Sequence, residues 1–225
     1  MAMQRKTLFR VVPEGWGVVV VLFAALILVQ WLAPLECTFP FAVLIVVVAF
    51  YCRDTPRSIP AEPLAVVAPV DGRVIEAGRA NDPFLNRPAL RVSIRVNWWS
   101  TYLLRSPVEG TVLELAGEVV ARQRAVASWI RTDEGEELVM AVVRGSMFGS
   151  RPCRGEYGER VGQGRCCGTR RLCRRVDLYL PVGTRADVRV GSRVRAGASV
   201  LAKLVHQQRR ARPVAGPAAV VSAMG

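Results

Sequence analysis

Two short glycine motifs each occur twice in this chain, and together they demand a turn-rich β structure. Pro69-Val70-Asp71-Gly72-Arg73-Val74 returns as Pro107-Val108-Glu109-Gly110-Thr111-Val112. Gly158-Glu159-Arg160-Val161-Gly162-Gln163-Gly164 returns 33 residues later as Gly191-Ser192-Arg193-Val194-Arg195-Ala196-Gly197, with Gly, Val and Gly in register. Glycines so placed suit tight turns that need positive φ, and the valines suit strands between them. Around these motifs lie short Val-rich runs at 64–68, 90–96, 138–143, 176–180 and 186–190. Several alternate apolar and polar residues with period two, which predicts half-buried strands. The one helix expected in this part of the chain covers 117–130.

The first 52 residues read differently. Residues 15–33 are apolar except for Gln30, nineteen residues in all. A helix of about 20 residues crosses a bilayer core. A second apolar run, 39–52, is too short to span comfortably alone, and residues 34–38 between the runs read as a turn. Arg5, Lys6 and Arg10 precede the first run, and Arg53 and Arg57 follow the second. Positive charge at both outer ends favours a helical hairpin with both ends in the cytoplasm. Trp16 and Trp31 bracket the first run as interfacial aromatics do. A cleaved signal peptide fits less well, because no small-x-small site follows and a second apolar run comes next. A re-entrant hairpin fits as well as a spanning one.

The expected organisation is therefore a basic cytoplasmic N-terminus at 1–14, a membrane hairpin at 15–52, a β-rich domain at 53–205 and a disordered basic tail at 206–225. Net charge is +13, which favours anionic partners. No zinc-finger spacing, RNA-recognition signature or basic helix points to nucleic acid, so anionic phospholipid is the expected partner. A homo-oligomer or a membrane protein partner is also open. The six cysteines, at 37, 52, 153, 166, 167 and 173, match no common zinc pattern and no disulfide framework; Cys37 and Cys52 read as buried free thiols.

The glycine grammar resembles the barrel-sandwich of lipoyl and biotinyl domains. A carrier would present a modifiable lysine at a hairpin tip, but the only lysines are Lys6 and Lys203, and Lys203 sits in the last strand-like run. Membrane-tethered adaptors of the fusion-protein kind share the grammar but usually carry long helical hairpins, and none is visible here.

The order of landmarks resembles the phosphatidylserine decarboxylase family, in its short bacterial form and the related archaetidylserine decarboxylases. The residues that carry the resemblance are Arg53-Asp54-Thr55-Pro56-Arg57 with Pro60, Val67-Ala68-Pro69-Val70-Asp71-Gly72-Arg73-Val74, Val92-Ser93-Ile94, Arg105-Ser106-Pro107 with Gly110, Val176-Asp177-Leu178-Tyr179-Leu180-Pro181, and Val190-Gly191 with Val194 and Ala196-Gly197. The resemblance implies a mainly β fold and a carboxy-lyase acting on a serine phospholipid at the inner membrane, with the domain facing the cytoplasm. It also implies a proenzyme. A serine hydroxyl attacks the preceding carbonyl, and elimination from the resulting ester leaves an N-terminal pyruvoyl group that serves as electron sink. An acidic residue and a histidine activate that serine.

Asp71 stands at the acidic position. Tyr102 stands where the family has its histidine, and the only histidine, His206, lies in the tail. Aligned without gaps from Gly158 to Asp177, the family's Gly-Ser cleavage pair becomes Cys173-Arg174. Arginine has no hydroxyl for the acyl shift and no β-leaving group for the elimination, and the Cys173 thiol stands one position early. Phe148-Gly149-Ser150-Arg151 copies the family's cleavage tetrapeptide, but Ser150 lies about 24 residues before the aligned position. These residues predict a chain that is not self-processing, or a non-catalytic relative that binds anionic lipid. Residues 144–175 are arginine-dense and carry four of the six cysteines; they read either as a phosphate-contacting cluster or as a solvated loop.

Overall fold

The computed structural model describes residues 10–11, 20–27, 31, 38–51, 53–54, 57–60, 62, 64–97, 100–113, 115, 125–143, 158–169 and 173–205. Fifteen strands lie among them. In chain order they are β1 (Arg10–Val11), β2 (Arg53–Asp54), β3 (Ala65–Val67), β4 (Gly72–Asp82) and β5 (Arg87–Val96). Then come β6 (Leu103–Arg105), β7 (Gly110–Leu113), β8 (Ala125–Arg131), β9 (Glu137–Val143) and β10 (Arg160–Val161). The last five are β11 (Cys166–Thr169), β12 (Arg175–Leu180), β13 (Arg185–Ala186), β14 (Arg193–Val194) and β15 (Val200–Lys203). Eight of them form one antiparallel sheet in the order β10-β7-β8-β9-β12-β5-β4-β14. Two small sheets, β11-β6 and β13-β15-β3, complete the domain.

The duplicated motifs make the two edges of the large sheet. In the first copy, β4 leaves the Pro69–Asp71 turn and pairs with β14, so that Val194 faces Gly72. In the second, β7 leaves the Pro107–Glu109 turn and pairs with β10, so that Val161 faces Gly110. The hydrogen bonds repeat atom for atom. Val74 donates to Ser192 and accepts from Gly191, while Val112 donates to Glu159 and accepts from Gly158. Gly197 donates to Ala68 as Gly164 donates to Ser106. The two halves are laced together by Val67 donating to Pro107 and Arg105 donating to Pro69, at 2.8 and 3.0 Å. The result is a mainly β, pseudo-symmetric arrangement in which Asp71 and Glu109 occupy equivalent turns.

One face of the large sheet forms the main core. Val74, Ile94, Val176 and Val142 line up across four adjacent strands and are all fully buried. Val161 and Val194, the central valines of the second motif, join the same cluster. The opposite face carries a smaller cluster of Phe84, Ala89, Val139, Ala141 and Tyr179.

Four expectations need correction. The helix expected over 117–130 is replaced at 125–131 by β8, which pairs with β7 and β9; residues 117–124 lie outside the described set. Tertiary pairing outweighs local preference there, because Ile130 opposite Leu138 closes the core. The strand expected at 186–190 shortens to β13, Arg185–Ala186. The glycine rationale holds for the second motif, where Gly158, Gly164, Gly191 and Gly197 have φ of 87, 67, 91 and 70°. It fails for the first. Gly72 and Gly110 are not among the positive-φ residues, and a Cβ on either would lie 2.2 Å from a carbonyl oxygen of the neighbouring strand, Arg95 or Arg131. Glycine is needed there for close backbone approach. Finally, Cys167 is disulfide-bonded, against the expectation of no disulfide.

Before the domain, residues 20–27 are helical, and helix α1 covers Thr38–Tyr51, with Pro40 tolerated in its first turn. Among the described residues no helix is long and apolar enough to cross a membrane. β1 pairs antiparallel with β2, so the outer ends of the two apolar runs come together.

A candidate site around Asp71

Three strand ends meet at one edge of the large sheet. β4 begins just after Asp71, β5 ends at Val96, and β12 begins just after Arg174. The main chain binds them: Asn97 donates to the Asp71 carbonyl at 3.0 Å, and Val96 donates to the Arg174 carbonyl at 2.9 Å. At the usual strand spacing, Asp71 and position 174 are thus roughly 10 Å apart across β5.

The Asp71 carboxylate is held from three sides. Its Oδ1 accepts from the Ala196 amide at 2.7 Å, and its Oδ2 accepts from Arg57 Nη2 at 3.1 Å and Ser100 Oγ at 3.3 Å. The Arg57 and Asp71 side chains are 23 % and 16 % exposed, so the pair is partly shielded from water. The amide comes from the second glycine motif, which explains why a turn around residue 196 must reach Asp71. Beside this carboxylate opens a cavity of about 750 Å³. Arg57, Arg73, Arg95, Arg193 and Arg195 line it, and Asp71 is the only acid among its lining residues.

Cys173 is buried in the main core, while Arg174 is exposed where β12 begins. Tyr102 is half-buried in the bend before β6. Ser150 and His206 lie outside the described residues. Ser100 and Arg105 hold the surroundings of the site together. Ser100, buried two residues before Tyr102, hydrogen-bonds Asp71. Arg105 is buried and donates to the Gly164 carbonyl at 2.8 Å, with its Cδ 2.9 Å from where a Gly197 Cβ would stand. It is a strut between the two glycine turns.

The counterpart cavity in the other half, about 670 Å³, is lined by Glu109, Arg160, Gln163, Arg165 and Cys166 among others. There Glu109 pairs with Arg160 at 3.2 Å, both more than half exposed.

The family model for phosphatidylserine decarboxylase matches residues 44–202. The chain is 35% identical over 201 residues to the phosphatidylserine decarboxylase proenzyme of Nitrosomonas europaea, covering 84% of this chain and 93% of that protein. The proenzyme of Burkholderia multivorans is 31% identical over 202 residues, covering 85% and 94%. The chain belongs to the phosphatidylserine decarboxylase family. The family resemblance implies a pyruvoyl group made from a serine of the chain itself, and the residue at the aligned position, Arg174, does not fit it. At the aligned place, position 174 offers a guanidinium, with neither hydroxyl nor β-leaving group.

Proposed function

We propose that this chain is a phosphatidylserine decarboxylase-family protein of phospholipid metabolism that stays a single, unprocessed chain. It works at the cytoplasmic face of the inner membrane, where it binds serine phospholipid in the Asp71 cavity. The observation that carries this reading is the edge where β4, β5 and β12 end: Asp71 is present and anchored, while the cleavage position beside it is Arg174. A serine headgroup carries a phosphate and a carboxylate, both of which suit a cavity walled by five arginines. The apolar runs before Arg53 supply the membrane attachment. The family activity, conversion of phosphatidylserine to phosphatidylethanolamine, would require a serine elsewhere in the chain to be processed, since position 174 is arginine.

Intact mass of the purified full chain in detergent is the test. The expected result is one species at the mass of the whole chain. Two fragments meeting near residue 150 or 173, with a pyruvoyl mass on the downstream piece, would overturn the reading and restore the enzyme.

A further inference from the structure

Four arginines stand opposite one another across adjacent strands of the large sheet. Arg193 on β14 faces Arg73 on β4, Arg73 faces Arg95 on β5, and Arg95 faces Arg175 on β12. Directly opposed residues in antiparallel strands share a face, and like charges so placed repel. Arg175 is neutralised by a bidentate pair with Asp177. Arg73, Arg95 and Arg193 are exposed, and none of them forms an ion pair among the described residues. All three line the Asp71 cavity. The row spans roughly 10 Å from the first strand to the third, wider than one phosphate group. A row of like charges that opposes folding and has no ion-paired acid among the described residues suits several phosphates held side by side.

A second observation selects the source of those phosphates. Helix α1 leaves Phe39, Val43, Leu44, Val46, Val47 and Phe50 exposed. Its last residue, Tyr51, is six residues from Arg57 of the cavity wall, a reach of at most about 20 Å. An apolar phase and a layer of phosphates within that distance describe a phospholipid surface. Nucleic acid offers only the phosphates.

We propose that the Arg193–Arg73–Arg95 row is a multi-phosphate contact to an anionic phospholipid surface, and that it holds the mouth of the Asp71 cavity against the bilayer. The inference rests on the membrane placement proposed above and is independent of processing. The test uses the full chain reconstituted in vesicles of phosphatidylcholine alone, and of phosphatidylcholine with phosphatidylglycerol, whose headgroup has phosphate but no serine. Arginines are modified with phenylglyoxal and quantified by peptide mass. In the anionic vesicles Arg73, Arg95 and Arg193 should each react about fivefold more slowly, given a roughly fivefold gain in association per basic residue near such a surface. Arg160, on the opposite edge of the same sheet, should keep its rate. Equal rates in both vesicles would overturn the contact while leaving serine recognition standing. Equal protection by inorganic phosphate or duplex DNA in neutral vesicles would overturn the lipid assignment. A chain that fails to enter vesicles at all would overturn the membrane placement as well. As a second arm, the Arg73→Gln/Arg95→Gln/Arg193→Gln variant should lose about 100-fold in affinity for phosphatidylglycerol in neutral detergent micelles, with unchanged circular dichroism.

Discussion

At the residue scale, the same amino acid serves two distinct needs. A Cβ at Gly72 would meet the Arg95 carbonyl at 2.2 Å, whereas Gly191 has φ of 91° and open space around its Cα. Gly72→Ala must push β4 from β5 and should cost about 3 kcal/mol. Gly191→Ala meets only backbone strain and should cost about 1 kcal/mol. Urea unfolding of the two variants side by side measures the difference. Asp82 gives a pH prediction. Burial pushes its carboxyl above the usual carboxylate range, against hydrogen bonds from the Phe84 and Leu85 amides and the charge of Arg87. A raised carboxyl means that the folded state holds its proton more tightly, so Asp82 takes stability away as pH rises above its unfolded value of 3.8. Asp82→Asn keeps the acceptor for Phe84 without a charge. It should raise Tm at neutral pH, and the gain should shrink as pH falls towards 3.8, followed by thermal melts across that range.

At the element scale, the arginine row sets folding against binding. Arg95 stands between Arg73 and Arg175, so Arg95→Thr relieves repulsion and adds a β-branched residue. It should stabilise the domain by roughly 0.5 kcal/mol in denaturant unfolding, while weakening attachment to anionic lipid. Stability gained at the expense of binding is the pattern expected where a strand residue is kept for a ligand. Arg175 behaves oppositely. Its guanidinium is held above its ordinary range chiefly by hydrogen bonding to Asp177, whose side chain is 3 % exposed. Arg175→Met strands that carboxylate. Because Arg175 itself remains 39 % exposed, screening tempers the loss to about 2 kcal/mol, again read from denaturant unfolding. β8 shows where local reading fails. Ala125, Val126, Ala127 and Ile130 suit either a helix or a strand by pattern, and the unpaired edges of β7 and β9 decide for a strand.

At the scale of the whole molecule, the pseudo-symmetric lacing of two halves gives one domain two equivalent turns; the Asp71 turn opens on a cavity lined by five arginines, the Glu109 turn on one lined by two. What the sequence determined by itself is local and periodic. Short Val-rich runs marked β3, β5, β9 and β12, and the order of motifs around Asp71, Arg105 and Val176–Pro181 pointed to the family. The tertiary structure alone decided which segments meet. The two motifs pair with each other at a distance in the chain, Gly110 with Val161 and Gly72 with Val194, because the central valines of both are buried in a shared core. Asp71 receives an amide from residue 196 and a guanidinium from residue 57. The arginine row exists only through register, since residues 73, 95, 175 and 193 have no periodic relation in the chain and become neighbours through hydrogen bonds between strands.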